Sequence, residues 1–245
     1  MIQNEKIGFL RAWERKQHYN PGRLGWLVNP FYFARRGLRD GLSEFLPGFS
    51  GEVLDVGCGR KPYRDLVSAN RYVGVDVDTP TTRVLGAADV FYDGRKLPFQ
   101  DGSFDAVICS QVLEHVFFAE AFLAEIYRVL RPGGQLLLAT PLVWDEHEQP
   151  HDFARYSSFG IRDLLIRTGF QITAQRKTCA DFRVIVQLAT AYLYKITVTR
   201  NTRYNRLTQL LLIAPVNLLG AMVAFLLPCN PDLYLDNIAL ARKSE

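Results

Sequence analysis

Gly51-Glu52-Val53-Leu54-Asp55-Val56-Gly57-Cys58-Gly59 is the stretch whose chemistry decides the fold. From Val53 to Val56 the residues are apolar around one acid, the composition of a short buried strand. The strand runs into a glycine turn, and a helix is expected to follow over Pro62–Ala69. The first glycine permits the tight turn, and the second lets backbone approach a ligand with no Cβ in the way. In open α/β sheets, ligands lie beyond the carboxyl ends of the strands.

The same grammar repeats outward from this point. Arg71–Asp76, Phe104–Ser110 and Gln135–Thr140 read as further strands, the last entered through the turn Arg131-Pro132-Gly133-Gly134. Phe118–Leu130 and Ser158–Thr168 read as helices, and Phe170–Arg176 and Tyr234–Ala241 as two later strands. Uniformly apolar strands alternating with helices indicate a parallel sheet covered on both faces, a doubly wound α/β fold. A chain of 245 residues can hold one such domain with appendages. Residues 1–50 read as an N-terminal helical cap, 51–177 with 233–245 as the α/β domain, and 178–232 as an apolar helical insertion before the last strand.

The turn also constrains the ligand. A nicotinamide dinucleotide site needs Gly-x-Gly-x-x-Gly, and here Pro62 takes the third position. No Gly-Lys-Ser/Thr follows, which removes the phosphate loops. Asp55 at the strand end suits an amino group and a sulfonium better than a pyrophosphate. Asp76 ends the next strand, 21 residues further on, where an acid accepts hydrogen bonds from ribose hydroxyls. A ribose without a phosphate points to S-adenosylmethionine (SAM).

Five motifs in order then carry a resemblance: Asp55–Gly59, Asp76, Leu97–Asp105 (LPFQDGSFD), Glu114-His115-Val116 and Leu130–Gly134. Together the chain resembles the class I SAM-dependent methyltransferases, in their small-molecule branch, over about residues 51–177 and the last strand. The resemblance implies a seven-stranded, mostly parallel sheet in the order 3-2-1-4-5-7-6 with the last strand antiparallel. It implies SAM as cofactor, with Asp55, Gly57, Cys58 and Gly59 toward the methionine moiety, Asp76 and Val77 at the ribose, and Asp93 and Gly94 at the adenine. Ser110 or Gln111 would stand beside the sulfonium. Asp93-Gly94 also reads as a plain turn pair, and Asp105 as structural. Arg60-Lys61-Pro62-Tyr63 departs from the small residues common after the glycines. Both basic side chains are expected to point outward or toward an anionic group.

The resemblance places the acceptor side at WDEHEQPHDFARYSS, residues 144–158. A hydroxyl nucleophile benefits from a general base, most often His. His147 and His151 are the catalytic candidates; Pro150 between them argues for a loop. His115, Arg155 and Tyr156 are the candidates for contact with substrate. A metal would need a third ligand such as Asp145 or Asp152, and none is expected. The acceptor is expected to be a small molecule, a lipid or a lipid-linked sugar methylated on oxygen. A non-catalytic SAM-binding module that regulates or scaffolds a partner is the alternative. The Asn/Asp-Pro-Pro-aromatic motif of base methylation is absent, since Thr140-Pro141-Leu142 stands in its place, so no nucleic-acid partner is expected.

Charge and hydropathy bear on location. Residues 1–50 hold eight Lys/Arg against four acids, and the remainder balances at 21 of each. Such an excess suits an anionic surface, or no more than a solvated helix face. Cys58, Cys109, Cys179 and Cys229 show no metal or disulfide spacing and read as free thiols in a reducing compartment. The N-terminus carries no apolar run of secretory type. Leu207–Leu227 has no charged residue and follows Arg200, Arg203 and Arg206. Its length would span a bilayer, but the next strand must rejoin the same sheet. Helices lying on the inner face of the membrane are favoured, with burial against the protein or a homodimer interface as the other cover.

Overall fold

The structure, a computed structural model, describes residues 9–245, so part of the N-terminal stretch judged for a secretory signal lies outside the described residues. Seven strands form one sheet: β1 Glu52–Val56, β2 Arg71–Val77, β3 Val90–Tyr92, β4 Phe104–Ser110, β5 Leu130–Pro141, β6 Phe170–Lys177 and β7 Asp236–Lys243. Their order is β3-β2-β1-β4-β5-β7-β6, as expected, with β7 antiparallel to both neighbours. β1, the first strand laid down, sits centrally between β2 and β4 and is buried from Val53 to Val56.

One face of the sheet contributes Leu54, Val56, Val73, Val75, Val107, Leu136 and Leu138 to the main core. Two helices cover it. From α4 (Ala119–Val129) come Phe122, Leu123 and Ile126; from α5 (Ser158–Arg167) come Ile161, Leu164 and Leu165. Ser157 caps α5 by accepting from the Gly160 amide. Each fully buried Leu or Ile contributes about 1.5–3 kcal/mol.

Three departures from the expected elements have physical causes. The helix expected over Pro62–Ala69 is only a 3-10 turn, Arg64–Leu66. An α-helix running back along a five-residue strand of roughly 17 Å would consume about eleven residues, leaving none for the turns at either end. β3 is three residues long, too short to show alternation, and the short helix α3 (Pro80–Leu85) lies between it and β2. Its signals were present: Thr79 and Thr82 form a capping box, Pro80 opens the helix and Gly86 closes it at φ +64°.

The chain divides into two compact units, residues 1–39 with 179–233, and residues 40–178 with 234–245. The boundary therefore falls inside α2 (Tyr32–Phe45), not at residue 50 as expected. Leu42, Leu46 and Phe49 are buried, and a side chain at Gly41 would meet Ile238 of β7, so residues 40–50 belong with the sheet.

The first unit joins α1 (Phe9–Tyr19) and the start of α2 to α6 (Arg183–Thr197) and to one long helix. That helix comprises α7 (Thr202–Thr208), a π-helical turn (Gln209–Ile213) and α8 (Ala214–Leu226). Polar residues within the apolar runs stitch it together. Gln187 is buried, accepts from the Ala34 amide at 3.0 Å and donates to the Pro30 carbonyl at 3.0 Å. Asn217 donates to the Trp26 carbonyl at 3.1 Å. Gly220 lets α8 meet α6, since a Cβ there would lie 2.4 Å from Val186.

A buried-edge clamp holds the Leu97–Asp105 segment in the second unit. Arg128 of α4 donates to the Leu97 and Phe99 carbonyls at 3.0 and 2.8 Å while pairing with Glu125 and Asp101. Arg128→Ala is expected to destabilise the protein by about 2–3 kcal/mol, which urea unfolding would read. Unchanged stability would show that the segment holds itself.

Candidate functional site

The glycine turn after β1 is tied to β2 first by its backbone. Gly57 has φ +67°, and the amides of Gly57 and Cys58 both donate to the Val75 carbonyl of β2, at 2.9 and 3.2 Å. The turn lies so close over β2 that a Cβ at Gly74 would sit 2.3 Å from Lys61 and 2.8 Å from Cys58 Sγ. Asp89 locks this approach by accepting from the Gly74 amide at 2.7 Å and from Lys61 Nζ at 2.6 Å. Lys61 is thus spent on a protein carboxylate, and Arg60 is exposed. Burial pushes the Cys58 thiol up to about 12, which leaves it inert.

Two acids stand at the strand ends. Asp76 accepts from the Gly59 amide at 3.0 Å and from the Val77 amide at 2.9 Å, one bond to each carboxylate oxygen. Burial raises its pKa, against those two amides. Asp55 is buried and accepts from the Tyr72 hydroxyl at 2.6 Å. Its pKa is pushed up to about 7, chiefly by burial.

The remaining cofactor candidates lie along the same end of the sheet. Val77 is exposed, and a Cβ at Gly94 would sit 3.7 Å from it, so the two are neighbours. Asp93 is exposed and spends Oδ1 on its own turn, accepting from the Arg95 and Lys96 amides, which hold its pKa below the usual carboxylate range. Ser110, at the end of β4, has a buried Oγ without a partner. Gln111 adopts φ +58° and donates to Asp236 of β7 at 3.2 Å. Asp236 also accepts from Thr178 Oγ1 at 2.8 Å, and burial lifts it to about 6.

These residues fit SAM. Space beside Gly59 is open, with nothing within 4 Å of an added Cβ. An orphaned hydroxyl at Ser110 stands at one strand end and two carboxylates at the others. This donor and acceptor set suits an ammonium, a sulfonium and a ribose.

Beyond β4 lies a second cluster. Glu114 is fully buried, neither carboxylate oxygen has a partner, and burial lifts its pKa to about 8. His115 Nε2 is 3.9 Å from Glu114 Oε1, and its Nδ1 is 2.7 Å from the His151 carbonyl. The His147 ring meets the His115 ring edge-on, with centroids 4.8 Å apart. His147 Nδ1 faces the Asp145 carbonyl at 3.2 Å and Asp152 Oδ2 at 3.3 Å. Both Nδ1 atoms therefore serve as donors, which leaves both Nε2 atoms with a lone pair. Burial, then the neighbouring His147, lowers the pKa of His115.

Residues 142–157 form a loop, and the structure brings His147 against His115. The His151 side chain is exposed, tilted against the Phe153 ring at 6.1 Å; its carbonyl is what engages His115. Arg155 differs from the expected substrate contact. Both terminal nitrogens are committed, to Asp152 at 2.5 and 2.7 Å and to the Asp145 carbonyl at 2.9 Å, so it braces the loop. Arg155 holds Asp152 well below the usual carboxylate range. Tyr156 is half-buried against the core. Glu114, Tyr72, Asp89 and Asp236 were missed as site residues. Only Glu114 had a signal, its place in the Glu114-His115-Val116 motif beyond β4.

Residues 54–138 match the family model of a methyltransferase domain. A probable SAM-dependent methyltransferase of Mycolicibacterium smegmatis is 39% identical over 97 residues, covering 37% of this chain and 38% of that protein. A probable tRNA methyltransferase 9B of Homo sapiens is 32% identical over 124 residues, covering 48% and 26%. Among solved structures, a Haemonchus contortus phosphoethanolamine N-methyltransferase 2 in complex with SAM superposes with TM-score 0.55 at 18% identity, covering 98% of this chain and 59% of that one. That likeness speaks for the fold. The chain spans less than half the length of these curated relatives. Residues 54–138 are thus a methyltransferase domain of the SAM-dependent kind.

Asp76→Ala is expected to weaken SAM binding about 10- to 100-fold with the fold retained, from charge-assisted bonds of roughly 1.5–3 kcal/mol. A second expectation concerns pH. Cationic SAM favours ionised Asp55, whose pKa in the free protein is about 7. Binding therefore expels a proton at lower pH, and affinity rises from pH 6 to pH 8. Asp55→Asn should flatten most of that rise in calorimetric titration. A wild-type affinity independent of pH would remove Asp55 from the cofactor's surroundings.

Proposed function

We propose that this protein moves the methyl group of SAM to a hydroxyl oxygen on an apolar acceptor, a lipid or lipid-linked molecule met at the cytoplasmic face of a membrane. The observation that carries this reading is the company of the histidine cluster. Phe117, Phe118 and Phe153 are exposed, with ring centroids 5.1 and 5.4 Å apart along the series, and His151 lies against Phe153. Exposed aromatic rings beside paired imidazoles suit an acceptor with an apolar body and one polar reacting atom.

Bound SAM supplies a methyl group on an excellent leaving group, so positioning does most of the remaining work. Asp55, Asp76 and the Gly57–Gly59 backbone hold the cofactor. The phenylalanines seat the acceptor and exclude water. The imidazoles of His115 and His147, fixed through Nδ1, ease the loss of the acceptor's proton. Arg155 and Asp152 keep that loop in place.

The first unit supports the lipid acceptor. Thr202–Leu226 is the one described helix with the length and composition to cross a membrane. Leu211, Leu219, Met222, Phe225 and Leu226 are exposed along it, Phe225 by 89%. A patch of this kind needs a cover. The chain leaves the sheet at Thr178 and re-enters at Tyr234, which argues for a helix lying in the interface over a single crossing. A hollow of about 280 Å³ beside it has mainly apolar walls, with Val28, Pro30 and Leu210 among them, and carries Glu14, His18 and Arg206. Cys58, Cys109 and Cys179 are buried free thiols, in keeping with the cytoplasm.

Transfer of label from SAM would be followed into a lipid extract, a tRNA pool and a polar metabolite fraction. Label entering the lipid phase is the expected result. Label confined to tRNA would overturn the acceptor class, and SAM binding without any transfer would make the protein a binding module. His147→Ala is expected to lower turnover roughly 10²- to 10⁴-fold with SAM affinity unchanged. Full activity in that variant would remove the loop from the chemistry.

Membrane contact is tested separately. The protein should co-sediment with anionic vesicles, less so at high salt, and lose binding when Leu211, Leu212 and Phe225 become polar. A protein that ignores vesicles and runs as a stable dimer would assign the leucines to a subunit interface.

A further inference from the structure

Glu114, His115 and His147 offer one carboxylate oxygen and two imidazole nitrogens that lie within 4.8 Å of one another. From this geometry we infer that the three side chains bind a divalent transition-metal ion of the zinc type, with a coordination position left for an oxygen of the acceptor. The inference deepens the methyl-transfer reading and rests on it for the acceptor: with both Nε2 atoms on the ion, proton loss is eased by the ion's acidification of the bound hydroxyl, not by a free imidazole; the metal site itself stands on the geometry alone.

Three features favour a built site over chance proximity. The first is Glu114. Its side chain is fully buried, and neither oxygen has a hydrogen-bond partner within the protein. A buried carboxylate without a donor is costly, and a cation in the cluster removes that cost. The second is tautomer control. Metal-bound His nearly always donates its other ring nitrogen to a carbonyl or carboxylate. Here His115 Nδ1 meets the His151 carbonyl at 2.7 Å, and His147 Nδ1 lies between the Asp145 carbonyl and Asp152. Both Nε2 atoms are thereby presented in the form that ligates. The third is the support behind the outer partner. Asp152 accepts from the His147 amide at 2.9 Å and is held by Arg155 on both oxygens.

The spacing is near what a metal requires. Ligand atoms about 2.1 Å from a common ion stand roughly 3.4 Å apart in tetrahedral geometry. The Glu114–His115 separation is 3.9 Å and the three ligand atoms lie within 4.8 Å of one another, so side-chain rotation must draw them together by up to about 1.4 Å to close the set. Two His and one Glu with an open position is the donor set of catalytic zinc. The nitrogen ligands select against calcium and magnesium, which prefer oxygen throughout.

Cobalt(II) titration of chelator-treated protein, read by visible absorption, tests this directly. The expected result is one equivalent with intense bands of four- or five-coordinate cobalt, displaced by zinc. His147→Ala and the isosteric Glu114→Gln should each weaken binding by at least ~100-fold, and Asp152→Asn by about 10- to 100-fold. Asp163→Asn, on the exposed face of α5, should leave binding unchanged. SAM titration of each variant reports that the fold survives. Absence of stoichiometric cobalt binding by the wild-type protein would overturn the inference. So would unchanged binding in both Glu114→Gln and His147→Ala. Cobalt binding retained in a protein that binds no SAM would sustain the metal site and overturn the methyl-transfer reading instead.

Discussion

Between residues 57 and 61 the chain lies over the middle of β2, where a Cβ on residue 74 would run into the Cys58 and Lys61 side chains. Most of the cofactor end depends on that contact. It brings the Gly57 and Cys58 amides onto the Val75 carbonyl, sets the Gly59 amide on Asp76 and puts Lys61 within reach of Asp89. A side chain at residue 74 would lift the turn and separate these partners together. The turn owes little to a following helix, because only a 3-10 turn follows. Backbone bonds to β2 and one ion pair do the holding that a helix packed behind the turn would otherwise supply.

The acceptor side uses a different device. A loop without regular structure carries His147, and loops position side chains poorly unless braced. Asp152 and Arg155 are that brace, a bidentate pair that also captures the His147 amide and the Asp145 carbonyl. The loop's backbone is fastened to β4's exit as well, through the Phe153 and Ala154 amides on the Glu114 carbonyl. The same residue thus anchors the loop by its backbone and faces the imidazoles with its carboxylate. Arginine here is a structural member whose charge is consumed locally.

In the first unit, polar residues within apolar helices define which faces are internal. Gln187, Asn217 and Gly220 turn inward, where each finds a backbone group or a close helix neighbour. The leucines between them then face outward. A helix that keeps its few polar groups inside and its apolar ones outside inverts the ordinary soluble pattern.

The sequence by itself determined the class of fold and pointed to the cofactor, through local signals: apolar runs of strand length, glycines where a turn needs positive φ, and acids at strand ends. The strand order came only with the family resemblance that its motifs carry. That resemblance also located the loop carrying His147. The sequence did not determine which histidines meet. His147 and His151 were natural partners by spacing, yet His115, 32 positions before His147, provides the facing ring. Nor could the sequence show that Arg155 is spent on Asp152, or that Glu114 is buried with nothing to bind. Those facts arise from side chains that converge only after the sheet aligns β4 with the loop beyond β5. Local sequence carries propensity and pattern over a few residues, whereas pairing between distant residues is set by packing, and packing exists only in the folded chain.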